Sequence, residues 1–177
     1  MRTLTLPEYK ERIEQWSIDK GLDSKAPINQ FRKLQEEYGE IASGVAKGKK
    51  DLIADGIGDV YVVLIILLQQ VNIDDKPLNM EVIKRYEREY SLVLHSEFIT
   101  DIGRCVKSYQ QAVSPTIKNH MANNIHYFVS LFVVELHDFA KDNDLRFLEC
   151  VKMAYEEIKD RKGKMTKDGT FVKSEDL

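Results

Sequence analysis

The chain contains little cysteine, proline or glycine. Its 177 residues include two cysteines, four prolines and nine glycines. Cys105 and Cys150 lack the C-x-x-C spacing of redox and zinc motifs, so we interpret them as reduced thiols in a helical core. Because the long stretches without proline and glycine favour helix, the sequence predicts an all-α fold.

Long apolar runs and an excess of one charge are also absent. The longest run, from Val60 to Leu68, has nine residues and is too short to span a bilayer. A net charge of -3 gives no electrostatic argument for nucleic acid as a partner. The N-terminal MRTLTLPEYKERIEQW has no apolar core of the kind that a signal peptide needs. We therefore expect a soluble, cytoplasmic protein that binds neither nucleic acid nor membranes.

Apolar residues at spacings of three and four predict a helical bundle. In the second helix, for example, Phe31, Leu34, Tyr38, Ile41 and Val45 follow one face. No alternating pattern indicates a strand of useful length. The predicted helices cover residues 6–20, 28–47, 51–71, 79–113, 119–141 and 145–161, and a polar tail follows. The 79–113 segment reads either as one helix or as two with a break near His95, and Pro115 is expected to stop helix.

Two segments of the chain resemble each other at an offset of 68 residues. IADGIGDVYVVLIILLQQVNID, from residue 53, aligns with MANNIHYFVSLFVVELHDFAKD, from residue 121. Asn123 and Tyr127 replace Asp55 and Asp59 in the second copy. We interpret residues 1–177 as one domain with a catalytic repeat at about 26–75, a degenerate repeat at about 76–143, and a C-terminal helix and tail at 145–177. The alternative is that two buried helices are alike by chance.

Acidic residues extend the apolar faces of the second and third predicted helices. Glu37 and Glu40 are three residues apart and Asp55 and Asp59 are four apart, so each pair points to one side of its helix. Four neighbouring carboxylates repel one another unless protons or a cation lie between them. Hard oxygen ligands suit Mg²⁺, with Mn²⁺ as the alternative, and we therefore predict a metal site at these four residues. The alternatives are a solvated face for the glutamates and an early-helix acid for Asp55.

These residues and their surroundings resemble the MazG-like all-alpha nucleoside triphosphate pyrophosphatases, especially their small phage and Gram-positive forms. In that family E-x-x-E on one helix is followed by E-x-x-D on the next. Glu37 and Glu40 match the first part, and Asp59 ends the second. Gly56 stands where the family has its glutamate, and Asp55 fits the D-x-I-G-D-x-x-V-V-L pattern of the small forms. AYEEIKDRKGKM also resembles their C-terminal segment.

The resemblance implies cleavage of a nucleoside triphosphate between its α and β phosphates, giving a monophosphate and pyrophosphate. It implies that Glu37, Glu40, Asp55 and Asp59 hold Mg²⁺, which bridges the acids and the phosphates. Glu36 is a further candidate that orients a ligand or the attacking water. The family also forms oligomers, and because a duplicated hairpin supplies part of such a contact within one chain, we expect a homodimer.

Other polar residues are candidates for substrate binding. Gln30 is either a base contact or an exposed helix glutamine, and Trp16 either stacks on a base or belongs to the core. The predicted phosphate-binding cations are Lys33, Lys159, Arg161 and Lys164, and a charged C-terminal turn is the alternative for the last three. A non-catalytic helical interaction module, or an enzyme with one fixed substrate such as dUTP or phosphoribosyl-ATP, remains open.

Overall fold

A computed structural model describes residues 4–73, 76–78, 91–166 and 171–173. The fold is all-α apart from one short hairpin, as the composition predicts. None of the helices in these ranges combines the length and apolar character that a membrane span requires. The elements are α1 (Leu6–Lys20), α2 (Pro27–Lys47), α3 (Lys50–Gln70), α4 (Ser91–Gln111), α5 (Pro115–Asp142), α6 (Phe147–Ile158), β1 (Gly163–Met165) and β2 (Phe171–Lys173).

Local signals in the sequence set several helix ends. Glu8 accepts a hydrogen bond from the backbone N–H of Thr5 at 2.7 Å, which stabilises the first turn of α1. The helices α1 and α2 end at Gly21 and Gly48, which adopt left-handed φ angles of 66° and 61°. Pro115 opens α5 instead of preceding it, so the predicted start at residue 119 is wrong. Proline fits the first helical turn because its missing N–H would have no helical partner there.

Two further expectations need correction in the described ranges. His95 lies inside the continuous helix α4, so the alternative of a break at that residue is wrong, whereas residues 79–90 lie outside the described residues. The tail forms an antiparallel hairpin in which Met165 pairs with Phe171 and Gly163 pairs with Lys173. Strands of three residues are too short to show an alternating pattern, and the sequence therefore gave no sign of them.

Helix α3 lies at the centre of the molecule. It packs against α1, α2, α5 and α6, and every residue from Val60 to Gln70 is buried. A helix that is apolar on all sides is stable only when neighbours cover it completely. The nine-residue apolar run is therefore the core helix of the fold.

Glycines bring the neighbouring helices unusually close to α3. A Cβ atom at Gly56 would lie 2.7 Å from Ile41 Cγ1 on α2, and one at Gly58 would lie 2.3 Å from the Cys150 carbonyl oxygen on α6. Real Cβ atoms do not approach other atoms this closely, so both positions require glycine. The close approach fixes the distances from α3 to α2 and to α6.

Helix α4 covers the side of α2 that faces away from the cleft described below. The Tyr38 hydroxyl donates a hydrogen bond to the Leu92 carbonyl oxygen at 2.8 Å. Its ring also contacts the rings of His95 and Phe132, with centroid distances of 5.8 and 6.2 Å. Burial lowers the pKa of His95 to about 4, so this imidazole packs as a neutral aromatic ring.

We expect Gly58→Ala to destabilise the fold by about 1–3 kcal/mol, because the added methyl group must push α6 away from α3. Gly39→Ala is the matched control, since a Cβ atom there would meet nothing within 4 Å. It should stabilise the protein by about 0.5–1 kcal/mol, because alanine loses less backbone entropy than glycine in a helix. Urea unfolding measures both changes, and equal stabilities of the two variants would contradict the packing argument.

Candidate active site

A cleft with a cavity volume of about 110 Å³, partly open to solvent, lies between α1, α2, α3, α6 and the C-terminal hairpin. The short turn at Gly48 makes α2 and α3 antiparallel, so Glu37 lies beside Asp59, and Gln30 lies beside Val63. One part of the cleft is therefore charged and another is largely apolar. The lining residues are Trp16, Leu22, Asn29, Gln30, Lys33, Glu37, Asp59, Val62, Val63, Ile66, Ile158, Arg161 and Phe171.

The predicted acids form an electrostatic cluster. Glu37 is 8% exposed, and both it and Asp59 line the cleft. Burial and, after it, the negative charges of Glu37 and Asp55 raise the pKa of Asp59 to about 7. Burial likewise raises the pKa of Glu40, again with contributions from Glu37 and Asp55. The four predicted metal ligands thus influence one another electrostatically, but Glu40 is exposed and neither it nor Asp55 lines the cleft.

Two other predicted residues, Glu36 and Lys33, have different positions. Glu36 is exposed on α2 and does not line the cleft. The Lys33 Nζ atom lies 2.6 Å from Glu37 Oε1 and 2.9 Å from Glu36 Oε2. Burial lowers the pKa of Lys33, but hydrogen bonds to Glu37 and Glu36 outweigh it and leave the pKa above its ordinary value. Lys33 therefore neutralises part of the acidic cluster as a protonated ammonium group.

The acidic cluster is not arranged as a finished metal site. Within the described ranges, no three His, Cys, Asp or Glu side chains are grouped closely enough to hold a metal ion. The donor set still fits a hard divalent cation, because all four groups are carboxylates. Burial, together with neighbouring negative charges, raises the pKa of Glu40 and of Asp59. Binding an ion would require side-chain rearrangement, including release of Glu37 from Lys33.

Helix packing accounts for the glycine at position 56. A Cβ atom at this position would point at α2, 2.7 Å from Ile41 Cγ1 and 3.3 Å from the Glu37 carbonyl oxygen. No longer side chain fits there unless the two helices separate. The carboxylate of Asp55, one residue earlier, is only partly buried and lies close enough to raise the pKa of Asp59.

Aromatic and amide groups form the rest of the cleft wall. Gln30 is only 6% exposed and donates a long hydrogen bond of 3.4 Å to the Val63 carbonyl oxygen, so the alternative of an exposed glutamine is wrong. Trp16 is 8% exposed and contacts the Phe171 ring edge-on, with centroids 6.3 Å apart. It therefore belongs to both the core and the cleft wall. Its indole N–H has no acceptor among the described residues.

Of the three predicted phosphate-binding cations in the C-terminal segment, Arg161 alone lines the cleft. It is ion-paired with Glu157, one turn earlier. Lys159 instead pairs with Glu156, and Lys164 is exposed on β1; neither lines the cleft. Sequence reasoning missed Glu157, although its four-residue spacing from Arg161 signals an ion pair.

The positions of the second repeat that match the aspartates lie outside this cleft. Asn123, which corresponds to Asp55, accepts a hydrogen bond from Lys76 Nζ at 2.6 Å. Tyr127, which corresponds to Asp59, is 56% exposed. The duplication remains a prediction, but neither of these replacements contributes to the cleft.

The raised pKa of Asp59 predicts a pH-dependent stability in EDTA. The pKa lies near 4 in the unfolded chain and about 7 in the folded state, so the folded state binds this proton more tightly. That stabilisation is present in full below about pH 4 and is lost as the pH rises to about 7. Asp59→Asn, which mimics the protonated form, should therefore melt at a higher temperature than the original protein at pH 8.

The difference in melting temperature between Asp59→Asn and the original protein should shrink towards pH 4. Thermal melting followed by circular dichroism measures it. Asp51→Asn is the control, because Asp51 is exposed in the first turn of the same helix. A lower melting temperature for Asp59→Asn at pH 8 would show that the carboxylate stabilises the fold.

Comparison with known proteins gives one partial match. No family model matches the chain, and no solved structure matches it. An uncharacterized 18.2 kDa protein from the rep-hol intergenic region of Haemophilus phage HP1 (strain HP1c1) is 50% identical over 70 residues. The match covers 39% of this chain and 43% of the phage protein, so the chain spans less than half of that relative's length. The likeness by itself indicates neither a family nor an activity.

Proposed function

We propose that this chain is a Mg²⁺-dependent nucleoside triphosphate pyrophosphohydrolase that releases a nucleoside monophosphate and pyrophosphate. Such an enzyme would remove non-standard or excess nucleotides. The proposal is supported by one observation above all: Glu37 and Asp59 line the same cleft as Trp16, Gln30 and Arg161. Carboxylates, a cation and an apolar wall in one cleft are the groups that a nucleotide requires.

The charges of the substrate explain the need for both acids and cations. A triphosphate carries about four negative charges, and more charge develops on the leaving pyrophosphate. Mg²⁺ held by Glu37, Glu40, Asp55 and Asp59 would neutralise that charge and polarise the phosphate oxygens. The Arg161 guanidinium supplies a positive charge beside Asp59, where it offsets part of the rise in the pKa of that carboxyl.

The apolar part of the cleft suits the nucleoside. Trp16 and Phe171 would offer aromatic surface to a base, and Val63 and Ile66 would add apolar surface in the same cleft. The Gln30 amide, which is buried in the cleft wall, would contact a polar edge of a base. These residues would orient the substrate so that its phosphates lie towards Glu37 and Asp59.

A non-catalytic interaction module is the second candidate. The observation that favours it is the lack, in the described part of the chain, of three acids grouped closely enough for a metal. Such a module would keep the fold and the cleft without turnover. An enzyme with one fixed substrate, such as dUTP or phosphoribosyl-ATP, is a variant of the first proposal.

A panel of nucleoside triphosphates with Mg²⁺ tests the activity through pyrophosphate release. We expect turnover by the original protein and a loss of roughly a hundredfold or more in Asp59→Asn. Mutating a group that only hydrogen-bonds to a metal ligand already costs about 10- to 100-fold in activity. Asp51→Asn should retain the original rate. Release from a single compound would identify a dedicated enzyme. Release from none of them, together with no Mg²⁺ uptake at millimolar concentration, would favour the interaction module.

We also propose that the chain forms a homodimer. Three of the exposed apolar side chains lie at the α4–α5 turn and on α5: Val113 (96%), Ile117 (51%) and Tyr127 (56%). Burying such side chains against a second copy would be favourable. Light scattering after size exclusion should give twice the chain mass of 20.5 kDa. A single species with the mass of one chain at micromolar concentration would contradict this proposal.

A further inference from the structure

Glu157 on α6 lies beside the cleft without lining it. Its carboxylate is ion-paired with the Arg161 guanidinium, whose side chain is 22% exposed and forms part of the cleft wall. The backbone N–H of Arg161 donates a hydrogen bond to the Ile158 carbonyl oxygen at 2.9 Å. Arg161 is thus held at its backbone by the end of α6 and at its side chain by Glu157.

The sign of the charge on Glu157 is unfavourable for the substrate. A carboxylate at the edge of a cleft that takes a triphosphate repels it, and this charge also raises the pKa of Asp59. If the cleft binds a triphosphate, Glu157 must contribute something that outweighs this repulsion. Orientation of Arg161 is such a role, because a guanidinium has five N–H donors and can bind Glu157 on one edge and a phosphate on another.

We infer that Glu157 is a positioning residue, which holds the Arg161 guanidinium at the cleft wall in the orientation that binds a substrate phosphate. This inference rests on the proposed function. An arginine that is already held in place loses less side-chain freedom when it binds a phosphate than one that rotates freely. Glu157 thereby increases affinity for the substrate without touching it.

The neighbouring pair, Glu156 and Lys159, is a control supplied by the chain itself. It joins a carboxylate and a cation three residues apart on the same helix end, but Lys159 does not line the cleft. Both pairs are partly solvent-exposed and contribute little to stability. Removing either carboxylate should therefore leave the melting temperature nearly unchanged.

Removing Glu157 has two opposite effects on substrate binding. Loss of orientation weakens binding, and loss of repulsion strengthens it. While Arg161 is present, we expect the first effect to dominate, so Glu157→Gln should raise KM about threefold to tenfold with kcat within about twofold. In an Arg161→Gln background only the repulsion remains, so the same change should leave KM unchanged or lower it.

The experiment is a double-mutant cycle of Glu157→Gln and Arg161→Gln, with Glu156→Gln as control and Glu157→Asp for partial rescue. KM and kcat are measured with the triphosphate hydrolysed fastest. The dissociation constant of Mg²⁺–tripolyphosphate, which has no base, is measured by calorimetry and should rise by the same factor as KM.

The outcomes separate this inference from the proposed function. If no triphosphate is hydrolysed, the proposed function fails, and the tripolyphosphate measurement still decides the role of Glu157. Additive effects in the cycle, a lower KM for Glu157→Gln, or an equal effect of Glu156→Gln would overturn the inference. A lack of tripolyphosphate binding by the original protein, together with no hydrolysis of any triphosphate, would overturn both.

Discussion

The candidate site depends on the repulsion among carboxylates that are held where α2 packs on α3. Glycine at position 56 allows a close helix contact that cannot open without exposing the apolar core. Glu37 and Asp59 therefore cannot move apart with their helices, and their charge must be compensated in place. In the structure Lys33 neutralises Glu37, and the pKa of Asp59 rises to about 7. An ion pair with Lys33 and protonation of Asp59 are two ways of compensating the charge, and a bound divalent cation would be a third. Only the cation could also coordinate a polyphosphate.

One face of α3 serves both the core and the cleft. Asp59 begins this face, and Val62, Val63 and Ile66 continue it as the apolar wall. An acid placed just before an apolar run therefore sits at the junction of the charged and apolar parts of a single cavity. Helix α6 completes the cavity, because its close contact at Gly58 brings Ile158 and the following Arg161 to the opposite side.

The sequence predicted those features that depend on neighbours along the chain. Residue spacing was enough for most of the helical segments in the described residues and for the proximity of Asp55 to Asp59 on α3. It could not show that Pro115 opens a helix, because proline is compatible with both an end and a start. It could not separate Arg161 from Lys159 either, since only the turn after α6 decides which cation faces the cleft. The burial of Gln30 likewise depends on contacts between distant segments.

The second helical pair supports the site without carrying its chemistry. Helix α2 has one face in the cleft and another against α4, where the Phe31 ring fills the space above Gly103 and Tyr38 bonds to the Leu92 carbonyl. Because α4 and α5 press α2 onto α3, they maintain the spacing between Glu37 and Asp59. Acids are not needed for that role, and at the position matching Asp55 a neutral Asn123 binds Lys76. Under the predicted duplication, the second hairpin holds no cation and is constrained only by its packing, which fits an apolar pattern that lacks the aspartates.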